Sequence, residues 1–449
     1  MRRLLVVALT SGAVAMGCLT SLASEAFPRA VDLESFEVVW RTIHEAYFDP
    51  TFGGVDWEAV RDQYWLHVKD AADSDEFYRL LNSMVFELER SHSAVIPPDS
   101  AGMVLPSGYA GGAVGLDVRW LSDEAVVVRV DSGSSADEAG IRPGFSISSF
   151  DGVPVQEIVA QAMAFLAPPF NERSTEETAN SALLAQVYGE AGTQVVLTYR
   201  DRQGDLATVQ LVRRARDRVS EPSPGMPSVY LDFASEWLQG DIGYIRFNTF
   251  HVDLLPDFAQ AIASMREARG LILDLRGNPG GELDAMVGMT TYLLKDPAVI
   301  VTLVMRSQTA EVPAVPVDSA FRGPLVLLVD VRCTSGSEML SISLQALGRA
   351  VVVGERTSGA VTGAGMIPLP NGALLMYPFV QTLAANGADP EGVGVTPDVL
   401  ISLTRDQLLD GYDAQLQAAI DYLSGANSLQ ESLVVRVGGL IPDRVLHGG

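Results

Sequence analysis

The stretch GPLVLLVDVRCTSGSEML, residues 323–340, indicates the fold of the C-terminal half of the chain. Its aliphatic run PLVLLVD is typical of a buried strand, and the following EMLSISLQALGR has the pattern of a helix. Between them lies a turn of small polar residues. A strand that passes through such a turn into a helix predicts an α/β layer. The turn then exposes a serine at the strand end, near the positive end of the helix.

Ser335, the serine of that turn, has two interpretations. With Glu338 three positions later it fits the capping box S-x-x-E, which needs no catalysis. Alternatively it is a nucleophile, because the small Gly336 beside it would let a substrate carbonyl approach. Cys333 is better explained as a small buried thiol than as the nucleophile of a Cys–His pair. Taken alone, the segment favours the cap.

A second segment, LILDLRGNPGGEL at residues 271–283, also runs from a buried strand through a Gly-rich turn into a helix start. Backbone amides in such a turn can face an anion or an oxyanion, although the glycines are also ordinary turn residues. The Lys–Ser/Thr that closes a phosphate loop is missing. Asp274 is expected to pair with Arg276. Alternating strands and helices predict an α/β domain with a largely parallel sheet over residues 229–404, followed by a helix and tail over 405–449.

The first part of the chain after its leader carries helical periodicity, which predicts a small helical domain over residues 27–104. Asp56 and Ser74 are predicted to be helix N-caps. The prolines of SHSAVIPPDS, residues 91–100, end the helical pattern.

Residues 1–26 have the layout of a secretory signal, with two arginines, a short apolar run and small residues. Cleavage is expected after Ala23 or Ala26. Alternatively, AMGC is a weak lipobox that would place a lipid anchor on Cys18. We therefore expect export to the periplasm or envelope of a bacterium, with membrane contact only through that anchor. Removal of the signal leaves Cys333 alone, so no intramolecular disulfide is expected.

Composition narrows the function classes further. The chain has 449 residues, of which 47% are hydrophobic and 19% charged, which predicts a globular protein with an ample core. A formal charge of −25 argues against a nucleic-acid partner, because binding phosphates needs a basic surface.

Residues 105–216 are Gly-rich and then alternate, with a hairpin pattern around DRQGD. SADEAGIRPGFSISSFDGVPV, residues 135–155, resembles the signature of a PDZ domain and departs from it at Phe145, where Asp is usual. Such a domain offers amides of a Gly-rich loop to a peptide carboxylate, beside a sheet edge that can accept a strand. The resemblance implies that role for Gly112, Val114, Gly115 and Leu116, although these glycines also fit a tight turn. A Pro/Ser linker over 217–228 follows.

The ordered set of motifs resembles the C-terminal-processing and tricorn-type serine peptidases. The resemblance covers nearly the whole mature chain and implies a crotonase-like α/β core in a peptidase that acts on unfolded or C-terminal polypeptide segments. It is carried by GYIRF, LILDLRGNPGG, TSGSEML, GERTSGAVTG and EGVGVTPDV, and by YFDPTFGGVDW and LERSHS in the helical domain.

Matched motif by motif, the resemblance implies that Ser335 is the nucleophile. It implies that Gly336 and Gly281 donate the two oxyanion amides, with Gly280 as a near alternative for the second donor. The resemblance fails at the base, because Ala360 of TSGAV stands where the processing branch has a lysine.

Lys69 and Lys295 are the only lysines, and their sequence context fits neither for that role. The tricorn-type branch uses a histidine and a distant glutamate instead, and these match His92 of ERSHSAV and Glu391 of EGVGVTPD. A serine directly before the histidine takes part in that branch, and Ser91 matches it. The expected mechanism is Ser-His-Glu, in which His92 takes the Ser335 proton and Glu391 orients the ring, directly or through Ser91.

Several alternatives remain at the level of sequence. His251 is the one serious rival base, whereas His44 and His67 are expected to have surface or half-buried packing positions and His447 lies in the tail. No metal-ligand spacing is convincing, and no cofactor is expected. A PDZ-bearing scaffold that binds peptide tails without catalysis is the second hypothesis, and a hydrolase of non-peptide substrates is the third. No oligomeric state is predicted.

Overall fold

The computed structural model describes residues 27–98, 111–165, 172–221 and 228–425, and the following account is confined to them. The leader with Cys18 and the tail with His447 lie outside these residues. The described residues form three units that follow one another in sequence, each with its own buried apolar cluster: a helical unit, a β-rich unit and a larger α/β core. We call the second of these the β unit, from Gly112 to Ala215.

The helical unit consists of α1 (Ala30–Ala46), α2 (Trp57–Val68) and α3 (Ser74–Phe86). Asp56 caps α2 as predicted, with its carboxylate accepting the Ala59 N–H at 3.0 Å. The prediction that Ser74 caps α3 was wrong by one position. Asp73 is the N-cap, because its extended backbone lets the carboxylate accept the Glu76 N–H at 2.9 Å, and Ser74 is already helical.

The chain leaves this unit through β1 (Ala94–Ile96), which pairs with a strand of the α/β core. The apolar cluster of the helices continues onto that core hairpin through Leu369, Ala373 and Leu375. The segment directly before β1 is therefore held between the helical unit and the core, and this segment carries Ser91 and His92.

The β unit contains the strands predicted from its motifs, including the hairpin around DRQGD. Its main sheet has the order β3-β4-β5-β8-β9, so β3 lies at an edge, and α6 packs against that strand. Its elements are β2 (Gly112–Ala113), β3 (Leu116–Leu121), β4 (Glu124–Val130), α4 (Ser135–Glu138), β5 (Ser146–Phe150), β6 (Val153–Pro154), α5 (Val155–Phe165), α6 (Glu172–Val187), β7 (Tyr188–Gly189), β8 (Gln194–Arg200), β9 (Leu206–Val212) and β10 (Arg214–Ala215).

The core is built on a sheet of order β11-β12-β13-β16-β17-β20, parallel from β12 onward, as predicted for this part of the chain. Its strands are β11 (Phe233–Leu238), β12 (Ile242–Phe247), β13 (Gly270–Asp274), β16 (Leu325–Val329), β17 (Val351–Gly354) and β20 (Val399–Leu400). β13 and β16 are buried at every position because helices cover both faces.

Helices α7 (Leu255–Ser264), α8 (Leu283–Thr291) and α9 (Gly336–Ala346) contribute to the apolar cluster on one face of the core sheet. On the other face lies α11 (Ala414–Ser424), which follows the short α10 (Arg405–Leu409). Each fully buried large apolar side chain, such as Phe258, contributes about 1.5–3 kcal/mol. A second sheet contains β14 (Ala298–Met305), β15 (Gln308–Ala314), β18 (Gly363–Pro368), β19 (Leu374–Ala384) and β1.

The parallel register places three turns at one end of the core sheet. β13, β16 and β17 are adjacent and parallel, so the segments that follow them leave the sheet at the same end. In open α/β sheets, ligands bind at the carboxyl ends of the strands. Ser335, the glycines after Asp274, and Ala360 all come from these three segments.

Candidate active site

Ser335 lies in the turn between β16 and α9, with backbone angles of φ 50° and ψ −120°. A non-glycine residue at positive φ is strained, and such strain is common where a side chain must be presented at a sharp strand-to-helix turn. The Ser335 N–H donates to the Ala360 carbonyl at 2.6 Å, which fixes the turn from the neighbouring strand's loop. The side chain is partly exposed.

The capping-box interpretation of Ser335 was wrong. Its hydroxyl makes no cap hydrogen bond to the helix, because the backbone of Ser335 turns the side chain away from the first turn of α9. Glu338 does not reach back either. Its buried carboxylate accepts hydrogen bonds from the Gly359 N–H at 2.8 Å, the Ala360 N–H at 2.9 Å and the Thr357 hydroxyl. Glu338 therefore holds the 357–360 segment rather than its own helix start.

Burial raises the pKa of Glu338 to about 7, although those three hydrogen bonds act in the opposite direction. Sequence analysis missed this role because it depends on contacts some twenty positions along the chain. The spacing to Ser335, which suggested a local cap, gives no sign of it.

Cys333 is a buried structural thiol, as expected. Its Sγ donates to the Leu275 carbonyl at 2.9 Å, and burial raises its pKa well above the usual value. A thiol that stays protonated is a poor nucleophile. The Cys–His alternative therefore has no support in the geometry.

The Gly-rich turn after β13 packs directly against the Ser335 turn. Asn278 is fully buried and accepts from both the Gly280 N–H and the Ser337 hydroxyl at 2.9 Å. Because the Gly280 amide is used in this way, it is a poor oxyanion donor. The Gly281 nitrogen lies 3.7 Å from the position that a Cβ on Gly336 would occupy. The predicted pair Gly281 and Gly336 is thus side by side.

The predicted pairing of Asp274 with Arg276 is confirmed. The guanidinium donates Nε to Asp274 Oδ1 at 2.9 Å and Nη2 to Oδ2 at 2.6 Å, and the Tyr244 hydroxyl donates to the same carboxylate at 2.8 Å. Burial opposes ionisation, but the charge of Arg276 holds the pKa of Asp274 below its usual value. Asp274 is thereby occupied in structure and is not free to act as a catalytic acid.

Ser91, His92 and Glu391 meet, although Glu391 is about three hundred positions away along the chain. The Glu391 carboxylate accepts the Ser91 N–H at 2.6 Å and the Ser91 hydroxyl at 3.1 Å. The Ser91 hydroxyl oxygen lies 2.9 Å from His92 Nδ1. Glu391 also accepts the N–H groups of Val361 and Thr362 at 3.0 and 3.1 Å, which anchor the carboxylate from a second segment.

This chain of hydrogen bonds determines the tautomer of His92. The single proton of the Ser91 hydroxyl goes to Glu391, so its oxygen accepts from Nδ1–H, and Nε2 is left with a free lone pair. Burial lowers the pKa of His92, with the charge of Glu391 acting in the opposite direction. A neutral imidazole with a free Nε2 is what a general base requires. His92 itself is held at φ 57°, in the left-handed region.

The described residues include no hydrogen bond between the Ser335 hydroxyl and His92. The turn that carries Ser335 is hydrogen-bonded to Ala360, and the segment that carries His92 is hydrogen-bonded to Glu391 through Ser91. Catalytic hydrogen bonds in substrate-free sites are often long and shorten only in the complex.

The other histidines and lysines considered as bases have different contacts or lie on the surface. His251 Nδ1 accepts the Asp253 N–H at 3.2 Å, which caps a short 3-10 helix, and its Nε2 lies 3.6 Å from Glu282. Lys69 is exposed and paired with its neighbour Asp70, and Lys295 is exposed on the surface. His44 stacks between Trp40 and Phe52, as expected for a packing residue.

The Gly-rich loop of the β unit is already engaged internally at two of the positions named for peptide binding. Gly112 lies in β2, paired on both sides, and the Val114 N–H donates to the Val187 carbonyl. Gly115 has φ +81°, and a Cβ there would lie 2.1 Å from Ser134. Leu116 begins the edge strand β3. The glycine at 115 is therefore required by the turn itself.

Two general features of the described residues complete the description. No cluster of three or more His, Cys, Asp or Glu side chains in these ranges is arranged to hold a metal ion. Within the same ranges, no helix is both long and apolar enough to span a bilayer.

Two family models match the chain: Peptidase family S41 over residues 241–401, and the tricorn protease C1 domain over residues 28–86. The carboxyl-terminal-processing protease of Synechocystis sp. is 27% identical over 398 residues, covering 86% of this chain and 85% of that protein. The putative tricorn protease homolog 2 of Streptomyces coelicolor is 28% identical over 395 residues, covering 84% of this chain and 31% of that protein.

Solved structures show the same fold. The photosystem II D1 C-terminal processing protease matches with a TM-score of 0.54 at 23% identity, over 86% of this chain and 99% of that one. Mature CPAF matches with a TM-score of 0.58 at 16% identity, over 92% and 100%. The family models and the relatives together support a serine-type peptidase. The chain is similar to the C-terminal-processing and tricorn-type peptidases, and residues 241–401 of its α/β core match the S41 peptidase domain.

Proposed function

We propose that the protein is an exported serine endopeptidase that cleaves unfolded or C-terminal polypeptide segments by a Ser335-His92-Glu391 mechanism. The observation that carries the proposal is the hydrogen-bonded chain Glu391–Ser91–His92, which supplies a neutral, oriented imidazole. It occurs in a sequence that has Ala360 where the processing branch has its lysine. Relatives named carboxyl-terminal-processing proteases support the choice of substrate.

In the proposed mechanism His92 Nε2 takes the proton of the Ser335 hydroxyl as the oxygen attacks the scissile carbonyl. The carbonyl oxygen becomes an oxyanion and accepts hydrogen bonds from the Gly336 and Gly281 amides. His92 then gives its proton to the leaving amine, and a water molecule repeats the sequence to release the acyl group. The Ser91 hydroxyl links the Glu391 carboxylate to the His92 ring by hydrogen bonds, and this link stabilises the protonated imidazole.

The assignments of the separate bodies are part of the same proposal. The core would be a crotonase-like α/β domain, and the β unit would be a PDZ-like domain that contributes to peptide recognition beside β3. The domain limits would be those expected from sequence, 27–104, 105–216 and 229–404. The leader over 1–26 would direct export to a bacterial envelope.

Labelling with a fluorophosphonate tests the proposal directly, because the reagent forms an adduct only with an activated serine. We expect a single adduct at Ser335 in the wild-type chain, and hydrolysis of an unstructured polypeptide such as casein. Ser335→Ala should abolish both, and His92→Ala and Glu391→Gln should slow both while the circular dichroism spectrum is unchanged.

Three results would refute all or part of the proposal. Full hydrolytic activity of Ser335→Ala would remove the nucleophile assignment. Folded wild-type protein that is neither labelled nor active, yet binds peptide tails, would instead identify a non-catalytic scaffold. Normal rates in His92→Ala together with a loss in His251→Ala would transfer the role of base to His251.

A further inference from the structure

Arg173, at the start of α6 in the β unit, makes contact with the core beside the candidate active site. Its guanidinium donates Nε to the Thr357 carbonyl at 2.7 Å, and Nη2 to the carbonyls of Gly392 and Val393 at 3.0 Å each. These carbonyls belong to two different segments of the core. One guanidinium therefore joins both segments to a helix of another body.

The first of these segments, residues 357–360, supports the nucleophile. The Ala360 carbonyl accepts the Ser335 N–H at 2.6 Å, and the buried Glu338 accepts from the Gly359 and Ala360 amides. A displacement of this segment would therefore move the turn that presents Ser335.

The second segment, residues 391–394, begins with Glu391 itself. It is packed against the first without spare room, since a Cβ on Gly359 would lie 2.7 Å from the Val393 nitrogen, and one on Gly394 would lie 2.6 Å from the Thr357 carbonyl. The Gly392 N–H also donates to the Gly359 carbonyl at 2.8 Å. The two segments form one tightly packed pair, and Arg173 covers the carbonyls on its outer side.

Arginine is suited to this contact because its planar guanidinium presents several N–H groups in fixed directions at once. A lysine has a single charged nitrogen on a flexible stem and holds separated carbonyls less well. Backbone carbonyls near a protein surface are otherwise satisfied by water, which restrains them far less.

The rest of α6 is tied to the edge of the β-unit sheet. Asn180, fully buried on the same helix, accepts the N–H of Trp120 in β3 at 2.7 Å, and Glu176 lies 3.4 Å from Arg119 of that strand. The outward-facing N–H of Trp120 is one that an added peptide strand would use. The helix that carries Arg173 thus also covers the edge beside which the proposed function places the peptide.

We propose that Arg173 is a positioning residue for catalysis: it holds the paired segments 357–360 and 391–394 so that Glu391 can bind Ser91 and Ser335 keeps its strained turn. This inference rests on the proposed function. It makes the position of the Glu391 carboxylate dependent on α6, a helix of the β unit and not of the α/β core that contains Glu391.

The test compares full-length wild type with Arg173→Ala, Arg173→Lys and Glu391→Gln. We expect Arg173→Ala to lower kcat and the rate of fluorophosphonate labelling on the order of tenfold with KM changed much less, because substrate-binding groups are untouched. Arg173→Lys should recover part of the lost rate. The double variant Arg173→Ala/Glu391→Gln should be no slower than Glu391→Gln alone, since both changes act through the same carboxylate.

Arg202→Ala is the matched control. Arg202 also joins the β unit to the core, through the Leu409 carbonyl and Asp410, but these partners lie outside the segments 357–360 and 391–394. We expect its labelling rate and kcat to equal those of wild type. A loss as large as that of Arg173→Ala would show that any weakened contact between the two bodies slows the enzyme, and would overturn a specific role for Arg173.

The outcomes separate this inference from the proposed function. If wild type is labelled and Glu391→Gln is slow, but Arg173→Ala keeps the wild-type rate or exceeds it, the inference alone is wrong. Additive losses in the double variant would also overturn it, because Arg173 would then act independently of Glu391. If wild type is not labelled at all, the proposed function is wrong and the inference falls with it.

Discussion

The two turns at the carboxyl ends of β13 and β16 begin alike and end differently. One starts Asp-Leu-Arg at residues 274–276 and the other Asp-Val-Arg at 330–332, and in each the aspartate pairs with the arginine two positions on. The first turn continues into glycines and presents backbone amides. The second continues into Ser335 and presents a hydroxyl. An Asp–Arg pair of the same spacing therefore precedes both the backbone amides and the Ser335 hydroxyl of the candidate site.

The two Asp–Arg pairs differ in the second partner of the arginine. Arg276 also binds Asp413 before α11, within the core, whereas Arg332 binds Asp117 of the β unit at 2.5 Å. The Gly277 N–H donates to Asp330 Oδ1 at 2.9 Å and joins the two turns to each other. The turn that carries Ser335 is thus attached to the β unit through Arg332, whereas Arg276 of the Gly-rich turn binds within the core.

The largest difference between the turns should appear in catalysis when the hydroxyl is removed. Ser335→Ala keeps the same backbone angles and loses only Oγ, so we expect kcat to fall on the order of 10⁴- to 10⁶-fold with little change in stability. Steady-state peptide hydrolysis together with denaturant unfolding measures both quantities. Residual activity within tenfold of wild type would contradict the assignment of the two turns.

The next largest effect is expected on the free energy of unfolding when the arginine of each Asp–Arg pair is replaced. Arg276→Met and Arg332→Met each leave buried carboxylates without their partner, which typically costs about 3–5 kcal/mol of unfolding free energy. Arg332 should cost more, because its side chain is 8% exposed and that of its second partner Asp117 14%, against 14% for Arg276 and 32% for its second partner Asp413. Urea unfolding of the two variants side by side decides this.

A larger loss for Arg276→Met would mean that the contact with the β unit contributes little to the nucleophile turn. Double variants in which the aspartate is also neutralised, Arg332→Met with Asp330→Asn, should recover part of the stability, since the unpaired charge is what is costly. No recovery would indicate that packing rather than charge dominates the effect.

A smaller effect on kcat is expected from Gly281→Ala, which adds a methyl group to the Gly-rich turn after β13. Gly281 has φ +141°, and a Cβ there would lie 2.2 Å from the Phe250 carbonyl oxygen, so Gly281→Ala must shift the backbone that carries one oxyanion donor. Losing one such donor typically lowers kcat about 10²- to 10³-fold. The measurement is kcat for a short peptide ester and for the matching amide.

Gly348→Ala provides the control for strain alone. Gly348 also has positive φ, +63°, but a Cβ there meets nothing within 4 Å, so only stability should change. Equal losses of kcat in the two variants would show that the effect at Gly281 reports general destabilisation and not the position of an amide.

Much of this arrangement follows from sequence, because the decisive signals are local. The aliphatic runs of β13 and β16 and the Gly-rich turn predicted the parallel layer and its two turns, and the short distance from Asp274 to Arg276 predicted their pairing. The residues that the structure brings to Glu391 were instead implied by the resemblance to the tricorn-type peptidases, which the motif around Ser91 and His92 carries. Where the chain supplies both partners within a few positions, pattern and chemistry suffice.

Most of the contacts that sequence analysis missed or misassigned join distant segments. Glu338 satisfies a local capping pattern, yet its carboxylate binds amides at 359 and 360, because the strained backbone of Ser335 removes the cap. Arg173 and Asn278 carry no pattern that would single them out, and each depends on segments brought together only by the fold. Ser74 was misplaced because two adjacent residues could both cap α3, and only the backbone angles distinguish them.

The smallest predicted effect concerns the pH dependence of the nucleophile turn through Glu338. Its pKa is about 7 in the folded protein against a usual 4.5, so between these values the native state keeps a proton that the unfolded chain has lost. Stability from this group is therefore fully present below about pH 4.5 and decreases as pH rises to about 7, in total on the order of 3 kcal/mol at 1.36 kcal/mol per pKa unit.

Glu338→Gln removes this titration and leaves every other group in place. The difference in unfolding free energy between wild type and Glu338→Gln should change by that amount between about pH 4.5 and 7.5 and stay constant above. A difference independent of pH would show that Glu338 stays ionised beneath the nucleophile turn.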